Sequence, residues 1–168
     1  MMTRSGKTAN VLAAAIVALL MIAPASAAEQ KSRSMSPISS RPAAIKKPHR
    51  LALQVNTNDP ATMNLALNNA SNVAQYYKDL GLGVTIEIVA FGPGLHMLRD
   101  DTSPVKARIA SMALSTPSIS FKACGNTRDN MSKAEEKDIP LVTEASLVKS
   151  GVVRVMELQE QGWTYVRP

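Results

Sequence analysis

Apolar and polar residues follow one another along residues 50–168 in blocks that predict strands separated by helices. Residues 51–55 form a short apolar run of the length of a buried strand. The polar segment after it contains Asp59, a good helix N-cap, followed by Pro60, a good first helical residue. Apolar residues then recur at three- and four-residue steps up to Gly81, which predicts a helix that ends there.

The same reasoning extends to the end of the chain. It predicts further strands at residues 84–91, 119–123, within 140–148 and at 163–166, and helices that start at Ser103-Pro104, after the candidate caps Asn126 and Thr127, and across 150–161. Strands that alternate with helices form βαβ units with parallel strands. We therefore predict one α/β domain, a three-layer α/β/α fold with a mainly parallel sheet of about five strands.

The first 27 residues have the three-part pattern of a secretory signal peptide. Arg4 and Lys7 are positively charged, an apolar run covers residues 11–23, and the small residues 25–27 provide a cleavage site. The apolar run is shorter than the roughly 20 residues that span a bilayer, so we expect a cleaved signal rather than stable membrane insertion. The pattern predicts a periplasmic or secreted protein.

Residues 28–49 are rich in Ser, Pro, Lys and Arg and show no apolar periodicity, which predicts a disordered basic linker. The net charge of the chain is +6, a value that could indicate a nucleic-acid partner. Two of these charges belong to the signal and four to the linker, whereas residues 50–168 carry twelve basic and twelve acidic side chains. The folded part is therefore neutral, and we expect no nucleic-acid partner.

The chain has one Cys and two His residues. One Cys excludes an intrachain disulfide, and three such residues cannot form a metal site from soft ligands alone. The sequence contains no nucleophile-elbow motif and no dinucleotide or phosphate fingerprint. We predict neither a metal nor a cofactor.

In a parallel sheet, the loops that follow the strands meet at the carboxyl edge, where ligands bind. We therefore expect Asn56, His96 and Cys124 to line one crevice. The other candidate binding residues of these loops are Asp59, Gly92, Gly94, Asn126 and Thr127. A cysteine just before a helix N-terminus faces unpaired backbone N–H groups, which favours the thiolate. The alternative interpretation is that Cys124 is a small buried hydrophobe.

Several segments then show a pattern in common with a known family. They are Val55-Asn56 with Asn58-Asp59-Pro60, and residues 66–70, 86–95, 121–127 and 158–168. In their order and spacing they resemble the DsrE/DsrF-like family of small sulfur-relay proteins. The resemblance implies a parallel-sheet α/β/α fold that assembles into homo-oligomers, often trimers or hexamers. It also implies that Cys124 carries sulfur as a persulfide.

Together these features predict an exported sulfur carrier or sulfurtransferase-like protein. Cys124 would accept the sulfur, Asn126, Thr127 and backbone N–H groups would stabilise the sulfur anion, and His96 would assist proton transfer. Its partners would be a sulfur donor or acceptor protein, or a small thiol. The alternative is a non-enzymatic oligomeric module that binds a small ligand or acts as a scaffold, with Cys124 as a structural residue.

Overall fold

The computed structural model describes residues 48–168, which form one sheet with helices on both faces. The strands are β1 (His49–Val55), β2 (Val84–Ala90), β3 (Ile119–Cys124), β4 (Ala145–Val148) and β5 (Thr164–Val166). The helices are α1 (Pro60–Asp79), α2 (Lys106–Ser115), α3 (Gly125–Glu135) and α4 (Gly151–Glu160), with a 3-10 helix at Gly92–Leu98. The predicted signal and nearly all of the predicted linker lie outside the described residues.

All five strands are parallel, in the order β4-β3-β2-β1-β5. Leu53 of β1 is paired with Ile88 of β2, which is in turn paired with Phe121 of β3. The predicted three-layer α/β/α fold is confirmed. Within residues 48–168, no helix combines the length and the apolar character needed to cross a membrane.

The two faces of the sheet are covered differently because successive side chains of a strand point to opposite faces. Leu51, Leu53 and Val55 of β1 pack into the larger apolar cluster, together with buried residues of α1 and α2. Ala52 faces the other way and packs in a smaller cluster with Val155 of α4. The first three α-helices therefore contribute to one layer, where the main core lies, and α4 to the other.

The start of α1 agrees with the prediction. Asp59 is the N-cap, and its carboxylate accepts hydrogen bonds from the backbone N–H groups of Ala61 at 3.2 Å and Thr62 at 2.9 Å. These bonds satisfy two of the free donors of the first turn. The hydrogen bonds from Thr62 and Ala61 hold the pKa of Asp59 below its usual value.

Three element boundaries differ from the prediction. β1 begins at His49, inside the predicted linker. α2 begins at Lys106 rather than at Ser103-Pro104. The Ser103 hydroxyl accepts from the backbone N–H of Val105 at 3.3 Å and donates to the carbonyl of Met97 at 2.5 Å, so it stabilises the turn before the helix. α3 begins directly after β3, so its N-cap is Cys124 and not one of the two residues predicted for that position.

α4 is fixed to its face of the sheet by an ion pair. Arg154 donates from Nε to Oε1 of Glu87 at 2.6 Å and from Nη2 to Oε2 at 3.0 Å. Glu87 lies in the middle of β2 and is buried, whereas Arg154 is 28% exposed. The carboxylate of Glu87 raises the pKa of Arg154. This bidentate pair compensates a charge that the sheet would otherwise bury alone.

Candidate functional site

Cys124 is the last residue of β3 and the N-cap of α3, so the fold places its sulfur at the carboxyl edge of the sheet. Its Sγ accepts a hydrogen bond from the backbone N–H of Thr127 at 3.4 Å. The residue is only 4% exposed. An amide donor and the positive end of a helix dipole both favour a negative charge on this sulfur.

The end of β4 and the loop after it pack against the two residues that follow Cys124. The backbone N–H of Asn126 donates to the carbonyl of Lys149 at 3.1 Å. A Cβ at Gly125 would lie 3.2 Å from the carbonyl oxygen of Val148, so a glycine allows the two backbones to approach closely. The burial of Cys124 therefore arises in part from backbone contacts next to it and not only from apolar packing.

The three connections that follow β1, β2 and β3 lie against one another. The backbone N–H of Gly92 donates to Oγ1 of Thr127 at 3.0 Å, which joins the second connection to the third. Gly94 lies so close to the end of β1 that an added Cβ would be 2.2 Å from the carbonyl oxygen of Val55 and 2.8 Å from Cα of Asn56. Parallel strands thus bring these sequence-distant segments to one edge, as the topology predicts.

A crevice of about 450 Å³ opens at this edge. It is lined by Asn58, Gly92, Pro93, His96, Thr127, Asn130, Met131 and Ala134. Three of the predicted binding residues, namely Gly92, His96 and Thr127, are in this set. Nδ1 of His96 lies 2.8 Å from Oγ1 of Thr102, so one ring nitrogen already has a partner within the chain.

The structure differs from the expectation that Asn56, His96 and Cys124 line one crevice. Asn58 occupies the place in the lining that we predicted for Asn56, and Cys124 lies behind the first turn of α3. Asp59 and Gly94 also lie outside the lining, because Asp59 caps α1 and Gly94 packs on β1.

Asn126 lines a second crevice of about 560 Å³, between the start of α3 and α4. Lys149, Arg154 and Glu157 contribute charged groups to its lining. Thr127 lines the first crevice and Asn126 the second, so the first residues of α3 contribute to both, whereas Cys124 lines neither.

Sequence reasoning missed a buried arginine near this site. Arg99, which follows the 3-10 helix, is 1% exposed. Its guanidinium donates to both carboxylate oxygens of Asp101 at 2.9 and 2.8 Å and to both of Glu135 at 2.5 and 2.9 Å. Nζ of Lys137 lies 3.2 Å from each of the two carboxylates. The sequence predicts a solvated turn at Asp100-Asp101, and both residues do lie in a turn and are exposed. The role of Asp101 as a partner of Arg99 was not predicted.

Hydrogen bonds within this cluster shift the pKa values of its members. Those from Arg99 are the main cause that holds the pKa of Asp101 below its usual value and lowers that of Glu135 to about 2. The two carboxylates in turn raise the pKa values of Arg99 and Lys137. All four groups therefore stay charged at neutral pH.

A cavity of about 740 Å³ lies away from the thiol, beside β1, β5 and α1. Its walls include Leu51, Val73 and Val166, and His49 stacks on Tyr77 in its lining with ring centroids 4.0 Å apart. Its lining, as far as residues 48–168 form it, contains no cysteine and no carboxylate. Among residues 48–168, no three His, Cys, Asp or Glu side chains are grouped so that they could hold a metal ion.

Comparison with known proteins supports the fold but gives no information about the chemistry of the site. No protein-family model matches the chain, and no curated protein matches it. The structure is similar to that of a protein of unknown function from Methanobacterium thermoautotrophicum, with a TM-score of 0.60 and 28% sequence identity. The match covers 71% of this chain and 99% of the other.

Proposed function

We propose that the protein is an exported sulfur carrier in which Cys124 accepts sulfur as a persulfide. The observation that carries this proposal is the hydrogen bond from the backbone N–H of Thr127 to Sγ of Cys124 at the N-terminus of α3. This position favours an anionic sulfur, which is the form both of a nucleophilic thiolate and of a persulfide at neutral pH. The resemblance to the DsrE/DsrF-like family agrees with the same role.

The transfer is an exchange at sulfur that needs no external oxidant or reductant. The Cys124 thiolate attacks a sulfur atom of a polysulfide or of a donor persulfide. One S–S bond of the donor breaks, an S–S bond forms on Cys124, and the donor leaves as a shorter polysulfide or a thiolate. An acceptor thiolate then takes the outer sulfur, and Cys124 leaves as a thiolate again.

The burial of Cys124 restricts the donor and favours a small one. An inorganic polysulfide is the smallest such donor, and it reaches Sγ with the least displacement of the residues that cover the thiol. A protein donor would need a displacement of the first turn of α3, because Thr127 lies directly on the sulfur.

The burial of Cys124 also supports a second candidate function, a non-enzymatic module that binds a small ligand. In this case Sγ serves only to cap α3, and the crevice of about 450 Å³ is the binding site. Its volume lies within the roughly 300–1,000 Å³ of small-molecule sites.

Intact-mass spectrometry after incubation with inorganic polysulfide tests the sulfur-carrier proposal. We expect a mass increase of whole sulfur atoms that a thiol reductant reverses. Cys124→Ser is the matched control, because its hydroxyl can still accept the bond from Thr127. Since Cys124 is the only cysteine of the chain, any adduct on this variant would be non-specific. An unmodified wild-type protein would refute the sulfur-carrier proposal and favour the binding module.

Export and homo-oligomer formation are separate parts of the proposal. They are supported by the signal pattern of residues 1–27 and by the family resemblance. We expect the protein from a fractionated Gram-negative host to be periplasmic and to begin after residue 27. We expect light scattering to give a molecular mass of at least twice the mass of the mature chain. A cytoplasmic full-length chain would contradict the first expectation, and a monomer the second.

A further inference from the structure

α3 is held to the domain in a different way from the other helices. α1, α2 and α4 each have buried residues that pack on the sheet, whereas none of the residues of α3 is buried. Met131 is its apolar contact with the core, and it is only partly buried. The apolar area that fixes α3 is therefore small, and burial of apolar area is the main force that holds a helix on a sheet.

Polar contacts hold α3 at its two ends. At the N-terminal end, Thr127 joins Gly92 to the sulfur of Cys124. At the C-terminal end, Glu135 forms its two hydrogen bonds to Arg99, whose Nη1 also lies 3.9 Å from Sδ of Met131. The C-terminal half of α3 therefore contributes to the burial of Arg99, and its first turn covers Cys124.

We propose that α3 is a lid over Cys124 and that the Arg99–Glu135 ion pair is the latch that keeps this lid closed. The role of the lid in controlling access to the thiol rests on the sulfur-carrier function proposed above. When the latch opens, α3 swings away from the edge of the sheet. The Thr127 N–H then leaves Sγ, and the sulfur becomes accessible to donors and reagents in solution.

The open state requires little disruption of the remaining structure. Arg99 keeps its bidentate bond to Asp101 and is hydrated on the side that α3 leaves. The main apolar cluster loses its contact with Met131. The other contacts that break are polar ones, namely those of Thr127 with Gly92 and Sγ and that of Lys137 with Asp101. Local openings of this kind occur at much lower free energy than global unfolding when few apolar contacts break.

Glu135→Gln tests the latch, because glutamine keeps the size of the side chain but removes the charge that binds Arg99. The matched control is Glu136→Gln on the next residue, since Glu136 forms no ion pair within residues 48–168. The measurement is the rate at which iodoacetamide alkylates Cys124 in the native full-length protein. We expect alkylation of Glu135→Gln to be faster by roughly fivefold or more, and that of Glu136→Gln to be unchanged.

A second measurement needs no variant. In the wild-type protein, the alkylation rate at low urea should rise much less steeply with urea than global unfolding does, because a local opening exposes little surface. Two outcomes would overturn the latch. One is alkylation that tracks global unfolding in every protein, and the other is an equal rate in Glu135→Gln and the wild type.

The latch and the sulfur-carrier function fail in different ways. If Glu135→Gln is alkylated faster but neither protein takes up sulfur from polysulfide, the lid stands and the sulfur-carrier function is wrong. If the wild type takes up sulfur and Glu135→Gln is alkylated at the same rate, the function stands and the lid is wrong.

Discussion

Replacing Gly94 with Ala should destabilise the domain through a steric clash with the end of β1. An added Cβ would lie 2.2 Å from the carbonyl oxygen of Val55 and 2.5 Å from its carbonyl carbon. Cβ atoms essentially never come closer than 3.0 Å to another heavy atom, so the oxygen or the Cβ must move by 0.8 Å. Val55 is fully buried in the main core, so β1 cannot move without disturbing its neighbours.

Overpacking of a well-packed core costs about 1–3 kcal/mol, and we expect the upper end because the obstacle is backbone. With a urea m-value of about 1.5 kcal/mol/M, a loss of about 3 kcal/mol lowers the unfolding midpoint by about 2 M. The assay is equilibrium unfolding in urea, followed by circular dichroism at 25 °C.

Gly83→Ala is the matched control for the same change of side chain. An added Cβ at Gly83 has no heavy atom within 4 Å, and its φ is not in the left-handed region. We expect this variant to equal or exceed the wild type in stability by up to about 1 kcal/mol, because alanine restricts the unfolded chain. Equal midpoints for Gly94→Ala and Gly83→Ala would refute the close contact between the 3-10 helix and β1.

Three further predictions concern charges and the helix cap. Arg154→Ala leaves Glu87 buried without its partner, so we expect the free energy of unfolding in urea to fall by about 3 kcal/mol and to recover in part when Glu87→Gln is added. An unchanged free energy of unfolding would contradict the ion pair. The wild-type free energy of unfolding should fall as the pH drops from about 4.5 to about 2, because Glu135, whose folded pKa is about 2, binds its proton at a higher pH in the unfolded chain. In a pH series of urea titrations, the free energy of unfolding of Glu135→Gln should fall less steeply with pH, and an equal dependence would refute this. Cys124→Ser should be more stable than Cys124→Ala by about 1 kcal/mol, because only serine still caps α3; equal stabilities would argue against the cap.

The local features of the fold were predictable because they depend on residues close together in sequence. The step from the apolar run 51–55 through Asp59 to Pro60 gave the start of α1. The β-branched run at residues 84–91 predicted a strand, which is β2. The parallel direction of the strands followed from the alternation of strands and helices, and it placed His96 and Thr127 at one edge.

The features that were missed depend on contacts between distant residues. Arg99 and Glu135 are 36 positions apart, and no sequence pattern indicates that the Arg99 side chain is buried and paired with so distant a carboxylate. The glycines of the segment Gly92-Pro93-Gly94 could be recognised in the sequence, but only the structure shows that they have different roles. Gly92 has a φ of 53°, whereas Gly94 is constrained by its contact with β1.

The burial of Cys124 differs in kind from that of a cysteine in an apolar core. Phe121 and Ala123 of β3 belong to the main cluster, and Cys124 belongs to neither apolar cluster. Lys122, two residues earlier in the strand, binds Ser146 at 2.8 Å on the face that α4 partly covers. The sulfur therefore ends a polar stripe of the strand, and its hydrogen-bond partner is a backbone amide, the N–H of Thr127. Because such contacts exchange for water at low cost when one helix moves, a small local opening is enough to expose the thiol.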